Sequence, residues 1–201
     1  LGSTTGVTTI SGSNAALEIN GSTALSIPES ITVNGTGLSN TGAIRLITGA
    51  SAATLTGTIT VASASRINTD VTTGTNTLTI SGGIANTAGI TFGVTSAGSI
   101  NVTSAISGAN ASTSNIIKDG TGTGKLILSS ANTYAGTTTV TAGILQITNN
   151  DALAGSQSTT VSSGATLELN GVSTLTEPLN LNGIGVSSLG ALRILSSNPT
   201  A

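Results

Sequence analysis

General acid–base chemistry needs paired carboxylates or a histidine held in a cleft. This chain offers seven acids, Glu18, Glu29, Asp70, Asp119, Asp151, Glu168 and Glu177, against five basic residues. Histidine and cysteine are absent. The acids are scattered over turns and strand faces, and they read as solvated corner charges. A polysaccharide-cleaving β-helix needs clustered Asp, Arg or Lys on one face and aromatic platforms for sugars. Five basic residues and two aromatics, Phe92 and Tyr134, do not build such a site. Calcium asks for several convergent oxygen ligands, and no D-x-D run is present. Asp119 beside Gly120 therefore reads as a turn former. The run Gly120-x-Gly122-x-Gly124 has the glycine spacing of a phosphate cradle, but no helix follows it, so it reads as a glycine-rich corner. No catalytic, cofactor-binding or metal-binding residue is assigned, and the chain reads as a non-enzyme.

Two polar residues are expected to do structural work. Asn132 should hydrogen-bond along a corner. Tyr134 should cover a rung edge with its hydroxyl in water. Thr-x-Thr pairs occur at Thr54/Thr56, Thr58/Thr60, Thr77/Thr79, Thr121/Thr123 and Thr137/Thr139. A flat threonine ladder would resemble an ice-binding face. The irregular spacing argues against one aligned file, and threonine as a solvent-facing strand former accounts for the pairs.

The elements that must carry these residues are short strands. Val, Ile and Leu alternate with polar residues at period two, and Gly and Asn punctuate the runs. Strands are expected at 7–10, 16–19, 25–27, 31–33, 43–48, 54–61, 77–80, 90–94 and 99–102, with looser corners at 84–87 and 108–115. The densest pattern lies at 118–147, where Leu126 and Leu128, Thr138 and Val140, and Leu145 and Ile147 each lie two apart. The lysines Lys118 and Lys125 are placed on turns. Asn20-Gly21 and Asn34-Gly35 suit tight corners because both residues tolerate positive φ. Helix is disfavoured by the load of Gly, Ser, Thr and Asn.

Composition agrees. Charged residues are 6% and aromatics 1% of the 201 residues, against about a quarter charged in ordinary domains. Mean hydropathy is positive, unlike that of a disordered chain. A core of small aliphatics suits a thin stack, in which each layer buries few side chains. Rungs stacked about 4.8 Å apart pair their backbones along the axis. At roughly 20–25 residues per rung, about eight to ten rungs are expected. Inward columns are expected from Leu17, Ile19, Ile31, Val33, Ile44, Leu46, Leu78, Ile80, Leu126, Leu128, Val140, Leu145, Ile147, Leu167, Leu169, Leu192 and Ile194. Glu18, Arg45, Glu168 and Arg193 should point to solvent.

Residues 1–50 recur as 158–201. Ala16-Leu17-Glu18-Ile19-Asn20-Gly21 matches Thr166-Leu167-Glu168-Leu169-Asn170-Gly171, and Gly42-Ala43-Ile44-Arg45-Leu46 matches Gly190-Ala191-Leu192-Arg193-Ile194. The offsets are 150 (168 − 18) and 148 (193 − 45). One continuous solenoid domain, 1–201, is expected, cut from or continuing into a tandem array. The net charge of −2 gives no basic footprint for nucleic acid, and no run of 18 apolar residues suggests a membrane-spanning helix.

The stretch Lys118-x-Gly120-x-Gly122, then Leu126-x-Leu128-Ser129, then Ala131-Asn132-Thr133-Tyr134-x-Gly136-x-Thr138-x-Val140-x-x-Gly143-x-Leu145-x-Ile147 resembles the autotransporter-associated β-strand repeat. Asp151-Ala152-Leu153-Ala154-Gly155 and 164–171 look like its continuation. The resemblance implies an all-β fold, a single-stranded right-handed parallel β-helix. It also implies a secreted or surface-displayed bacterial protein in which the repeat forms an elongated stalk and carries no catalytic residues. The expected role is a structural segment of an extracellular fibre whose partner is itself, head to tail or in tandem, with neighbouring fibres, the cell surface or glycans as further contacts. An adhesin stalk with its binding tip elsewhere is the first alternative. A degenerate carbohydrate-active β-helix and an ice-binding solenoid rank lower. No cofactor is expected.

Overall fold

A computed structural model describes residues 5–47, 49, 52–71, 76–95 and 98–196. Every strand pairing in it is parallel, and strands stack as the rungs of a β-solenoid with no α-helix among the described residues. Each turn of the chain lays down up to three strands, one on each of three faces. The first face holds Val7–Ile10, Ser30–Gly35, the start of Ile59–Thr69, Ile84–Asn86, Ile106–Gly108 and Thr133–Tyr134. The second runs from Leu17–Ile19 and Ile44–Leu46, through the end of Ile59–Thr69, to Ile90–Val94, Ile116–Gly120, Thr138–Val140, Thr159–Val161 and Leu179–Leu181. The third is an eight-stranded sheet from Leu25–Ile27 to Leu192–Ser196.

The parallel solenoid expected from the sequence is therefore what the chain forms. It is shorter, with about seven turns, because the eight strands of the third face leave seven steps between the first and the last. Stacked partners are up to 30 residues apart (Gly35↔Ser65, 65 − 35), since long corners and a register shift lengthen some turns.

Strand formation follows the side chains. On the third face Leu78, Ile100, Leu126, Leu145 and Leu167 fall in one inward file, and all five are buried. Each such side chain contributes roughly 1.5–3 kcal/mol of transfer free energy. One rung cannot bury its apolar face alone, so the stack forms one continuous core.

Several boundaries differ from the sequence reading. The expected strand 54–61 breaks at 56–58. There the amides of Thr56 and Gly57 both donate to the Ile27 carbonyl (2.8 and 3.3 Å), which turns the chain from the third face to the first. Ile59–Thr69 then runs on as an eleven-residue bent strand that serves two faces. Residues 84–87, expected as a corner, hold the strand Ile84–Asn86. Of its two inward positions, Ile84 and Asn86, the second carries a buried asparagine, so the apolar alternation that marks a strand is broken. The Asn86 amide donates to Asn115 O (3.1 Å) and its Oδ1 accepts from Gly89 N (2.9 Å). Thr48, the end of the expected strand 43–48, lies outside the described residues; the strand there is Ile44–Leu46. Ile194, expected inward, is 66% exposed, because no described strand lies on the far side of its rung.

Candidate functional site

Eight of the twelve charged residues gather in ladders on two faces, carried there by strand register. On the second face Glu18, Arg45, Asn68, Gly93 and Asp119 share one outward file in successive rungs. Arg66, two residues before Asn68, points to the same side. Its guanidinium donates Nη1–H and Nη2–H to the two carboxylate oxygens of Asp119 (2.8 and 2.7 Å), spanning the rung of Gly93. A bidentate pair of this kind fixes geometry as well as charge. Only glycine fits beneath it, since a Cβ at position 93 would fall 2.7 Å from Arg66 Cζ. Arg66 Nη2 also donates to Asn68 Oδ1 (3.1 Å), Asn68 donates to Asp70, and Arg45 pairs with both Asp70 and Glu18. The result is a continuous polar ladder up one face.

A second ladder lies on the third face around Glu168. Its carboxylate accepts from Lys125 Nζ (2.8 Å), Gln146 Nε2 (2.9 Å) and Arg193 Nη1 (2.7 Å), three residues on three other rungs. Glu168 was expected in solvent, and its strand position does face outward. The long neighbours nevertheless fold over it and leave its side chain 1% exposed. Strand alternation alone does not reveal this, because the covering groups come from 43 residues earlier and 25 later (168 − 125 and 193 − 168).

The glycine-rich stretch holds the least expected residue. Lys118 lies on the strand Ile116–Gly120, not on a turn, and occupies the inward file between Phe92 and Val140. It is fully buried. Its ammonium donates to the carbonyls of Asp119 (2.6 Å) and Ala142 (3.0 Å), which ties the 119–124 corner to the rung above. Burial lowers its pKa to about 8, the Arg66 charge acts in the same direction, and Asp119 opposes them. Lys125, also expected on a turn, opens the strand Lys125–Leu128.

Tyr134 is likewise inside. Its hydroxyl bonds Thr138 Oγ1 (2.6 Å) instead of water, and burial pushes its pKa up to about 12. Asn132 behaves as the sequence suggests. Its Oδ1 accepts from Ile106 N (2.8 Å) and its Nδ2 donates to Ala152 O (2.6 Å), joining three successive turns. Gly120, Gly122 and Gly124 form a corner in which Thr121 N donates to Val94 O (3.2 Å). Threonines align only in short files, such as Thr9, Thr32 and Thr60 on the first face and Thr54 and Thr79 on the third.

All five cations are thus committed inside the stack, four to carboxylates and Lys118 to carbonyls. Glu29 is buried beside Thr8. A shallow groove of about 300 Å³ lies between the corners near Thr36, Ser65, Thr91, Thr113 and Ile117, and no charged or aromatic side chain lines it. No helix among the described residues is long and apolar enough to cross a membrane.

With this geometry in hand, the comparison with known families is informative. Residues 119–147 match the model of the passenger-associated-transport-repeat. The matched stretch runs from the Asp119 that pairs with Arg66, through the Gly120–Gly124 corner, Asn132 and Tyr134, to the end of the strand Gly143–Ile147. No curated protein and no solved structure matches the chain. A passenger-type repeat seated in a parallel solenoid fits a structural segment of an autotransporter passenger.

Proposed function

We propose that this chain is a structural segment of a secreted or surface-displayed bacterial solenoid fibre, built from tandem or end-to-end stacked units. The observation that carries the reading is the transport-repeat match at 119–147, set in the middle of a stack whose rungs are all joined in parallel. The mechanism is architectural. Backbone hydrogen bonds along the axis give stiffness, and the two charge ladders brace successive rungs. The Ser/Thr/Asn-rich surface leaves few charged handles for proteases. The uncharged groove lacks the aromatic platform that sugar binding favours, which ranks the stalk reading above an intrinsic adhesin.

Unit length gives the test a scale. Leu179 follows Ile31 by the same 148 residues (179 − 31) that separate Arg193 from Arg45; Ile31 lies on the first face and Leu179 six turns further along on the second, so one such step advances six turns and one face. At about 4.8 Å per turn this is about 30 Å along the axis. Negative-stain electron microscopy should show filaments with that axial spacing. A uniform population of short single rods at every concentration would overturn the fibre. Glycan binding by this segment alone would support an intrinsic adhesin instead.

A further inference from the structure

Asparagine two residues before Ser or Thr is the acceptor sequence for N-linked sugars, and it serves only where the side chain is reachable at a surface. The chain carries four such triplets with no proline between: Asn20-Gly21-Ser22, Asn34-Gly35-Thr36, Asn101-Val102-Thr103 and Asn110-Ala111-Ser112. In a chain this rich in Asn, Ser and Thr the motif arises readily by chance, so spacing alone selects none of them. The geometry of the stack does.

Two of the four are held in the sheet. Asn34 is half-buried in the strand Ser30–Gly35, and its Nδ2, the atom that would take a sugar, donates to Ile10 O on the rung below (3.5 Å). Asn101 is half-buried in Ser99–Val102, stacked between Thr79 and Ile127, and its Oδ1 accepts from Ser129 Oγ (3.2 Å). Asn20 is exposed in the first described turn, but no hydrogen bond to a described residue fixes its amide.

Asn110 is both reachable and fixed. It lies in the middle of the stack, with described rungs above and below, on the corner 109–115 that carries the chain from the first face to the second. Asn110, Ala111 and Ser112 are all exposed. The Asn110 Oδ1 accepts from Ser112 N (3.0 Å), an Asx turn within the triplet, while its Nδ2 donates to no described residue. The corner itself is anchored on both sides. Asn110 O accepts from Ser114 N (2.8 Å), Thr113 Oγ1 donates to Thr87 O on the rung below (2.8 Å), and Asn115 Oδ1 accepts from Thr137 N on the rung above (2.9 Å). Ser112 and Thr113 also wall the shallow uncharged groove, which leaves room for a sugar ring beside the corner.

We propose that Asn110 is an acceptor for an N-linked sugar. The donor is a sugar carried on a phosphate ester at its anomeric carbon and presented by a transferase that reads the triplet. Nδ2 bonds to the anomeric carbon, the bond from that carbon to the phosphate oxygen breaks, and its electron pair leaves with the phosphate. One Nδ2 proton passes to a base of the transferase, so the amide stays neutral. That the chain meets such a transferase rests on the secreted or surface-displayed reading; the competence of the folded corner does not. A bulky, solubilising group at this corner adds cover to a surface poor in charge.

The test incubates the folded 201-residue chain with a triplet-reading transferase and its donor, in two arms. One arm uses a soluble enzyme with a nucleotide-activated hexose, the other a membrane enzyme with a lipid-linked oligosaccharide. Peptide mass mapping reads each asparagine. Asn110 should fill at least about tenfold faster than Asn34 or Asn101, because a strand residue must open locally before it reacts. In separate short peptides spanning each triplet the contrast should vanish. Ser112→Ala should abolish the product at Asn110 and Ser112→Thr should keep it, with unfolding midpoints unchanged in both. Chain isolated from its source cells should carry sugar at Asn110, a single hexose or a larger preassembled chain telling which donor was used. No product at Asn110 in either arm, equal filling of Asn34 and Asn101 in the folded chain, or source material bare at Asn110 would each overturn the inference. The outcomes are separable from the fibre reading. Sugar at Asn110 on chains that form only short single rods supports the site and removes the fibre. Filaments bare at Asn110 support the fibre and remove the site.

Discussion

The rungs Ile31–Leu46 and Leu179–Ile194 are built from nearly the same residues on nearly the same backbone, and they end up in opposite environments. Leu46 is fully buried, whereas its counterpart Ile194 is 66% exposed. The acids below them are reversed. The Glu18 side chain is 53% exposed, while that of Glu168 is 1% exposed. The corner in each, at Gly37 or Gly185, is a local property, set by glycine at positive φ and by bonds within six residues. Burial is a property of what the next rung supplies. The strand Ile59–Thr69 seals the first rung; Lys125, Gln146 and Arg193 seal Glu168.

The comparison is open to attack in order of expected effect. The largest contrast is a buried charge. Leu46→Asp should cost more than about 5 kcal/mol of stability, because an unpaired carboxylate would enter the core, whereas Ile194→Asp should fall within about 0.5 kcal/mol of the parent. Urea unfolding midpoints measure both, and similar losses would show that the two rungs are equally covered in solution.

The acids come next. Glu168→Ala removes the shared acceptor of two cations and an amide, with an expected loss of about 3–5 kcal/mol. Glu18→Ala removes an exposed pair and should cost less than about 1 kcal/mol. If the two variants melt together, the third-face ladder does not enclose Glu168.

A middle rung sharpens the point through pH. The folded pKa of Lys118 is lowered to about 8 from an ordinary 10.5. Between those values the unfolded chain binds more protons, so stability should rise with pH, by on the order of 3 kcal/mol across that window. The folded pKa of Tyr134 is raised from 10.0 to about 12, so its contribution holds below pH 10 and is lost as pH climbs through 12. Unfolding midpoints should therefore climb from pH 8, peak near pH 10 and decline. Lys118→Met should flatten the climb and Tyr134→Phe the decline. A flat profile in the parent would place both groups in water.

The smallest effect should be equal at both rungs. Gly37→Ala and Gly185→Ala each force a side chain into a backbone region kept for glycine, at about 1–3 kcal/mol apiece. A Cβ at either would also collide within its own corner, against the backbone of Gly42 or Gly190. Matching losses, read by thermal unfolding, confirm a local origin. A loss confined to Gly37 would mean that the covering strand, not the corner, sets the cost.

Much of the protein is legible in its residues one stretch at a time. Period-two alternation marks strands such as Thr77–Ile80, Ile90–Val94 and Ser99–Val102 at their observed bounds. A small-aliphatic, nearly charge-free composition points to a stack of thin layers. The 118–147 pattern points to the passenger repeat, and the recurrence of Glu, Arg and Gly in order marks two like rungs. These features depend on neighbours in sequence or on composition, so sequence alone determines them. What the tertiary structure decides is everything that passes between rungs. Asn86 fills a core position and hides a strand, Lys118 sits in a file of apolar side chains, Tyr134 turns inward to Thr138, and Glu168 is enclosed although its strand faces out. Each depends on partners roughly twenty or more residues away, or on a corner whose length sets which side chains stack. Alternation tells which side of a strand a residue occupies; only the register of the stack tells what stands above and below it.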